Sequence, residues 1–259
     1  LDPNPVNNGK GVEILRKQGI RVEVGFLEER LKKINESFIK YITRRIPYVT
    51  VKVGQSLDGK IATYRGNSRW ITSDKSREYA HRIREKFDAI MVGVNTIIRD
   101  NPGLQPVSLS KRLTKIIVDS QLSIASQAAV LQHDPVIIVT LPAAPGQETA
   151  NRNILSQQAQ ILEVKEKEGV VNLRDMMKKL ARLQITNILV EGGGALIGSL
   201  FDEGLVDKVL FFISLKIIGG KDAKSSVMGR GIAHPEKAFR LKDVRLRRIG
   251  EDLLVEGYL

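Results

Sequence analysis

The stretch ILVEGGGALIGSLF, Ile188 to Phe201, decides what kind of chain this is. Asn187 to Val190 reads as a short buried strand. Glu191 and three consecutive glycines read as a turn, and the apolar run to about Phe201 as a helix. A strand that turns through glycine directly into a helix is a corner of an α/β sheet. It is also a place where backbone N–H groups can approach a phosphate, with the dipole of the following helix behind them. Gly192, Gly194 and Gly198 give G-x-G-x-x-x-G, one residue longer than the strict dinucleotide spacing. Two uses therefore stay open, a phosphate cradle and a tight strand–helix corner. A dinucleotide site also wants an acidic residue at the end of the next strand. Here FFISLK ends at Lys216, a base that suits a 2′-phosphate and so favours NADP.

The rest of the chain repeats the alternation. Upstream, Tyr48–Val53 (YVTVKV), Ala89–Val94 (AIMVGV), Lys115–Val118 and Val136–Thr140 read as strands, and Ile61–Thr63 as a resumed one. Ser73-Asp74 caps a helix to about Phe87, with Tyr79, Ile83 and Phe87 on its inner face. Asn172 caps another, with Leu173, Met176, Met177 and Leu180 inward. Downstream, Lys208–Ile218 reads as a long strand, then Leu241–Ile249 and Asp252–Tyr258 as an antiparallel pair. Together these predict an α/β fold with a mostly parallel central sheet, antiparallel C-terminal strands and flanking helices. The first 46 residues stand apart. Val12–Gln18 predicts a short helix, Ile20, Val22 and Val24 a strand, and Leu27–Ile42 one amphipathic helix ended by Pro47. That segment is too short to build a core and reads as the tail of a preceding domain or a brace.

Composition narrows the function classes. The 259 residues are 42% hydrophobic and 27% charged, as in an ordinary globular protein. No apolar run approaches the ~20 residues of a membrane span, and the start carries no signal-peptide core. There is no cysteine, which excludes disulfides, a thiol nucleophile and Cys-ligated metal. Lys and Arg exceed Asp and Glu by 41 − 29 = 12. Such a charge suits nucleic acid, an anionic membrane or a phosphorylated small molecule. Aromatics are only 5%, the single Trp70 makes no stacking platform, and the basic residues are spread along the chain. A phosphorylated small molecule is the reading these features favour, with a basic binding module as its competitor.

Several further stretches could carry chemistry. Lys52 alternates with Val51 and Val53, so it points away from them. On an outer face it is a solvated lysine, and in a cleft it holds an anion or donates to a reacting oxygen. The loop Gly66 to Ser73 places Trp70 before a capped helix, either as a core plug or as a cofactor clamp. Arg77, His81, Arg82, Arg84 and Lys86 are mostly helix-face charges, of which one or two could reach a phosphate. Asp100 follows a strand in NTIIRDNP and is a candidate acid or a turn residue. The three histidines show no ligand spacing, and His234-Pro235-Glu236 matches a deaminase motif by accident, so no metal site is expected.

Taken in order, VTVKVGQSLDGKIA, GNSRWITS, AIMVGVNTIIRDNPGL, IIVDSQ and ILVEGGGALIGSL resemble the reductase half of the bifunctional riboflavin-biosynthesis deaminase/reductase family. Residues 1–46, from DPNP through GKGVEILRKQGIRVEVG, look like the C-terminal tail of that family's deaminase domain without its zinc site. Residues 47–259 look like the reductase domain. The resemblance implies a dihydrofolate-reductase-like fold, a cytoplasmic homodimer, and no nucleic-acid or membrane partner. It implies NADPH-dependent reduction of the ribosyl group of 5-amino-6-(5-phosphoribosylamino)uracil to a ribityl chain. By the same resemblance NADPH contacts fall on Gly54, Trp70, Thr96, Asp100, Ser120 and the turn Gly193, Gly194, Ala195, Leu196, Ile197, Gly198 and Ser199. Substrate contacts fall on Ser68, Arg84, Leu104 and Glu191, and Lys52 and Asp100 lie where the reacting C1′ is expected. One departure stands out. The family's Thr-x-Arg after Asn-Pro-x-Leu is replaced by Gln105-Pro106-Val107, so a phosphate-binding arginine is missing unless Lys111 or Arg112 substitutes. The competing readings are a reductase of the same fold acting on a pterin-like substrate, and a non-catalytic scaffold.

Overall fold

The computed structural model describes residues 1–108, 111–133, 135–143 and 150–259. The elements run α1 (Lys10–Lys17), α2 (Glu28–Ile34), α3 (Glu36–Arg44), β1 (Tyr48–Ser56), α4 (Asp74–Ile83), β2 (Ala89–Gly93), α5 (Val94–Asp100), β3 (Thr114–Val118) and β4 (Val136–Thr140). They continue with α6 (Ala150–Gln158), β5 (Gln160–Glu163), β6 (Glu166–Lys167), β7 (Val170–Val171), α7 (Leu173–Arg182), β8 (Asn187–Val190), α8 (Gly194–Asp202), β9 (Lys208–Ser214), β10 (Lys242–Ile249) and β11 (Asp252–Tyr258). Nine strands form one sheet in the order β10-β11-β9-β1-β8-β2-β3-β4-β5. All neighbours from β9 to β5 pair parallel, and only β11 and β10 pair antiparallel. This is the mixed sheet the sequence predicts.

The central strands are buried on both faces, which is why they read as unbroken apolar runs. Val49, Val51, Met91 and Val190 pack with α7 and α8 on one side. Ile90, Val92, Ile117 and Leu189 pack with Ala80, Ile83 and Phe87 of the α4 region on the other. Both predicted caps are made. Ser73 accepts from the Ser76 N–H and Asn172 from the Asp175 N–H.

Four local expectations are corrected. Ile20, Val22 and Val24 form no strand, because none of the described strands lies beside them to complete a ladder. Leu27–Ile42 is two helices, broken at Asn35, whose side chain donates to the Leu31 carbonyl. Ile61–Thr63 forms no strand: Ile61 N–H donates to Lys224 O beside the isolated bridge Lys60–Ser225, and Thr63 turns back on Gly66 and Asn67. The long apolar run from Lys208 ends as a strand at Ser214. The sequence reading also had no α6, β5 or β6–β7 hairpin.

The N-terminal segment divides at Asn35. Residues 1–34 carry no buried side chain, and Ile14, Phe26 and Ile34 are exposed. By contrast α3 is fastened to the body. Lys40 Nζ pairs with Asp207 at 2.5 Å, the Tyr41 hydroxyl donates to Ala181 O at 3.2 Å, and Glu36 lies 3.4 Å from Lys208 Nζ. The brace is therefore mainly α3, joined by one ion pair from α2, Lys33 to Asp243 at 2.8 Å.

The Gly-rich corner is fixed by close packing. A Cβ built on Gly194 would lie 2.4 Å from Ser225 O, and one on Gly198 only 1.5 Å from Met228 O. Gly198 is thus the point where segment 225–229 lies on α8. Overpacking commonly costs ~1–3 kcal/mol, and a backbone clash this close belongs at the upper end. Gly198→Ala is expected to lower the thermal midpoint by several degrees, and an unchanged melting curve would contradict this packing.

Candidate active site

Three strand ends meet at one cleft of ≈ 520 Å³, the carboxyl ends of β1, β8 and β2. Ligands of open α/β sheets bind there because the following loops and helix N-termini converge on it. Val51 and Val53 point into the core, so pleating turns Lys52 to the opposite face and into this cleft. The next residue after β8 is Glu191, and Arg84 arrives from the turn that follows α4.

These three side chains form one buried ion cluster. Arg84 Nε donates to Glu191 Oε1 at 2.9 Å and Nη2 to Oε2 at 2.8 Å. Lys52 Nζ lies 3.2 Å from the same Oε2. Arg84 Nη1 donates to the Gln105 carbonyl at 2.8 Å. The Glu191 side chain is 4% exposed. Burial pushes its carboxyl up, but Lys52 and Arg84 outweigh that and hold it at about 2. Burial likewise disfavours the Arg84 cation, and Glu191 more than compensates. Arg84, expected by resemblance to meet substrate, has all three guanidinium nitrogens engaged within the protein.

The cleft's other wall is the 66–72 loop and the end of α5. Ser68 Oγ donates to Asp100 Oδ1 at 3.4 Å, and Arg69 Nη2 donates to the Asp100 carbonyl at 3.0 Å. Lys216 Nζ donates to the Trp70 and Ile71 carbonyls at 3.2 and 3.0 Å. That corrects the reading of Lys216 as a 2′-phosphate partner. Strand β9 lies beside β1, not β8, so its terminal lysine reaches the Trp70 loop. Leu104 is buried with φ +53°, a left-handed conformation uncommon for leucine, and it lines the cleft.

A second cleft of ≈ 590 Å³ adjoins the first through Asn95 and Ala195. Of the residues expected at a cofactor, Gly54, Trp70, Thr96, Asp100, Gly193, Gly194, Ala195 and Ile197 line the first cleft. Ser120, Leu196 and Ser199 line the second, with Ala195 in both. Gly198 lines neither and serves packing. Gly193, with φ +79°, stands just before the first residue of α8 and gives the helix no side-chain cap. A built Cβ on Gly192 would press on Thr96 Oγ1 at 3.2 Å. The bare backbone there would suit a diphosphate.

Sequence reasoning underrated His81 and Arg77 and did not pick out Arg99 or Lys224, all of which line the first cleft. The signal was present for two of them. Arg77, His81 and Arg84 are spaced i, i+4, i+7, one stripe of a helix. Burial and then the neighbouring Arg84 push the His81 imidazole pKa down. Lys111, a suggested substitute for the missing arginine, donates to the Glu85 carbonyl instead. No group of His, Asp or Glu among the described residues is arranged to hold a metal, and no helix there is long and apolar enough to cross a membrane.

The sequence pattern of the RibD C-terminal domain matches residues 47–255. The chain belongs to the RibD C-terminal domain family. The riboflavin biosynthesis protein RibD of Aquifex aeolicus is 39% identical over 98% of this chain and 70% of its own length. The 2,5-diamino-6-ribosylamino-4(3H)-pyrimidinone 5′-phosphate reductase of Methanothermobacter thermautotrophicus is 34% identical over 81% of this chain and 97% of its own. A solved deaminase/5-amino-6-(5-phosphoribosylamino)uracil reductase of Thermotoga maritima superposes with a TM-score of 0.83 at 31% identity, covering 99% of this chain and 69% of that one. The fold described above is thus the one this RibD domain shares with the Thermotoga protein.

The ion cluster makes a pH prediction for this RibD domain. Glu191 is held near 2 against an ordinary 4.5, so it stabilises the fold fully above pH 4.5 and loses this contribution as pH falls towards 2. The span corresponds to on the order of 3 kcal/mol. Arg84→Lys, which loses the two-pronged bond, is expected to move acid unfolding to higher pH. An acid transition that stays in place would remove Arg84 as Glu191's main partner.

Proposed function

We propose that this chain reduces the ribosyl group of 5-amino-6-(5-phosphoribosylamino)uracil to the ribityl chain, with NADPH as donor, as a reductase of riboflavin biosynthesis. The observation that carries the reading is the Lys52–Glu191–Arg84 cluster, where β8 ends beside the middle of β1, opening on a cleft that continues past a glycine corner into a second one. The first cleft is shaped for a polar ring and a sugar phosphate, and the second for the distal half of a dinucleotide.

The bound nicotinamide supplies a hydride to C1′. What the protein supplies is position and charge. Glu191 fixes the Lys52 ammonium towards the cleft, where it gives a proton to the ribose ring oxygen as the C1′–O4′ bond opens, leaving that oxygen as a hydroxyl. Asp100, steadied by Ser68, accepts from a ribose hydroxyl. Trp70 walls the nicotinamide side. The uncapped first turn of α8 receives the diphosphate. Lys52→Ala and Asp100→Asn are each expected to lower turnover ~100-fold or more, in the range of lost acid–base assistance. Unchanged rates of NADPH oxidation at saturating substrate would remove these roles.

For the substrate phosphate the cluster points away from Arg84, whose nitrogens are spent, and from Lys111. Among the described residues Arg99 and Lys224 line the cleft with no side-chain partner. They are the cations free to take up a dianion in place of the arginine absent at 105–107. A charge-assisted bond contributes ~1.5–3 kcal/mol. Lys224→Ala and Arg99→Ala are therefore expected to raise KM for the phosphorylated substrate ~10-fold or more and to leave KM for its dephosphorylated form unchanged. Equal effects on both would place the phosphate elsewhere.

The reading includes a cytoplasmic homodimer, supported by kinship, and residues 1–46 as the tail of a deaminase domain. The support for the latter is that RibD relatives align with nearly the whole chain, while the Methanothermobacter reductase aligns with 81% of it. The experiment that tests the function is NADPH consumption with and without 5-amino-6-(5-phosphoribosylamino)uracil. Substrate-dependent oxidation is expected. NADPH binding without turnover would move the substrate to a related compound.

A further inference from the structure

The only tryptophan of the chain stands at the mouth of the first cleft with its side chain largely in solvent, 63% exposed. An exposed indole on a loop ordinarily samples several rotamers. The backbone beneath it is held by Lys216 on the Trp70 and Ile71 carbonyls and by Arg69 on Asp100. None of these bonds fixes the ring. Among the described residues, the nearest cation over the ring is Arg77. The Arg77 guanidinium carbon lies 4.1 Å from the indole centroid, a stacking distance, whereas that of Arg69 lies at 5.8 Å.

Arg77 is itself immobilised. Its Nη1 donates to the Thr72 carbonyl at 2.6 Å, and it pairs with Asp74 in the first turn of α4. A planar guanidinium pinned by a carbonyl and a carboxylate presents a fixed flat face, which a lysine ammonium cannot do. The stripe of α4 that carries Arg77 also carries His81 and leads to Arg84, so the clamp and the buried ion cluster share one helix face.

We propose that Arg77 is the positioning residue for Trp70. It sets the indole plane in the free protein, so that the wall of the nicotinamide end is built before the cofactor arrives. The consequence for cofactor affinity rests on the NADPH reading given above, whereas the ordering of the indole does not. Pre-ordering a side chain removes an entropic cost from binding, and the stack adds attraction of its own.

Because Trp70 is the single tryptophan, its fluorescence reports on this ring alone. Steady-state anisotropy and acrylamide quenching would be measured on the full chain without ligand, for the wild type, Arg77→Leu, Arg77→Lys and Asp74→Asn. Anisotropy is expected to fall and quenching to rise in Arg77→Leu, with Arg77→Lys recovering little. Asp74→Asn, an exposed change that loosens the guanidinium without removing it, is expected to lie between. NADPH would then be titrated by energy transfer from Trp70 to the reduced nicotinamide. Arg77→Leu is expected to weaken binding ~10-fold, equivalent to about 1.4 kcal/mol. Unchanged anisotropy in both Arg77→Leu and Asp74→Asn would overturn the proposal. Weaker NADPH binding with unchanged anisotropy would also overturn it, by making Arg77 a direct ligand. Absence of NADPH binding to the wild type would overturn the cofactor reading and its consequence for affinity, and the free-protein anisotropy would then decide the clamp by itself.

Discussion

A carboxylate buried between two cations is the interaction on which this site depends. Glu191 leaves the end of β8, Lys52 stands on β1, and Arg84 arrives from the far end of α4. Desolvating one carboxylate costs several kcal/mol, which a single exposed partner would not return. Two cations within hydrogen-bonding reach do return it, and they can do so only if sheet, helix and the Gln105 loop are in register. The cluster therefore works in two directions. It ties three elements at the catalytic end, and it leaves one ammonium anchored yet facing the cleft. Hydride transfer asks for such fixed geometry more than for a strong acid.

The glycine corner is the second constraint, and its glycines do different jobs. Gly193 accepts a positive φ just before a helix with no side-chain cap. Gly194 and Gly198 make room for the 225–229 backbone, which closes one wall of the cleft. The G-x-G-x-x-x-G spacing is thus longer than a dinucleotide fingerprint for a plain reason. Its last glycine answers to packing against the Met228 backbone.

Most of the sheet was legible because parallel strands buried on both faces are short apolar runs between turn signals. Ser73 and Asn172 announced their helices by capping. What failed lacked a local cause. Ile20, Val22 and Val24 alternate as a strand does, yet alternation needs a neighbouring strand, and no pattern within the segment supplies one. The site was legible as a set of motifs and less so as a set of roles. Arg84 looks like a phosphate ligand in sequence, and only the fold reveals that Glu191, 107 residues away, has claimed it. Lys216 was misplaced for a related reason. The next strand in sequence after β8 is not its neighbour in the sheet.

The charge of +12 acquires a local meaning from the same distinction between engaged and free groups. In the first cleft Lys52 and Arg84 serve Glu191, Arg77 serves Asp74, and Arg69 serves a carbonyl. These cations build the walls. Two carboxylates face these four cations, so part of the charge remains, but their donors are committed to holding the walls together. Arg99 and Lys224 face the same space unneutralised. A phosphate that enters therefore meets its attraction at two points on different segments, which orients it instead of merely retaining it. A family position that has lost its arginine can be tolerated on these terms. The requirement is a net positive cleft with free donors at the correct end, and a residue number is only one way to meet it.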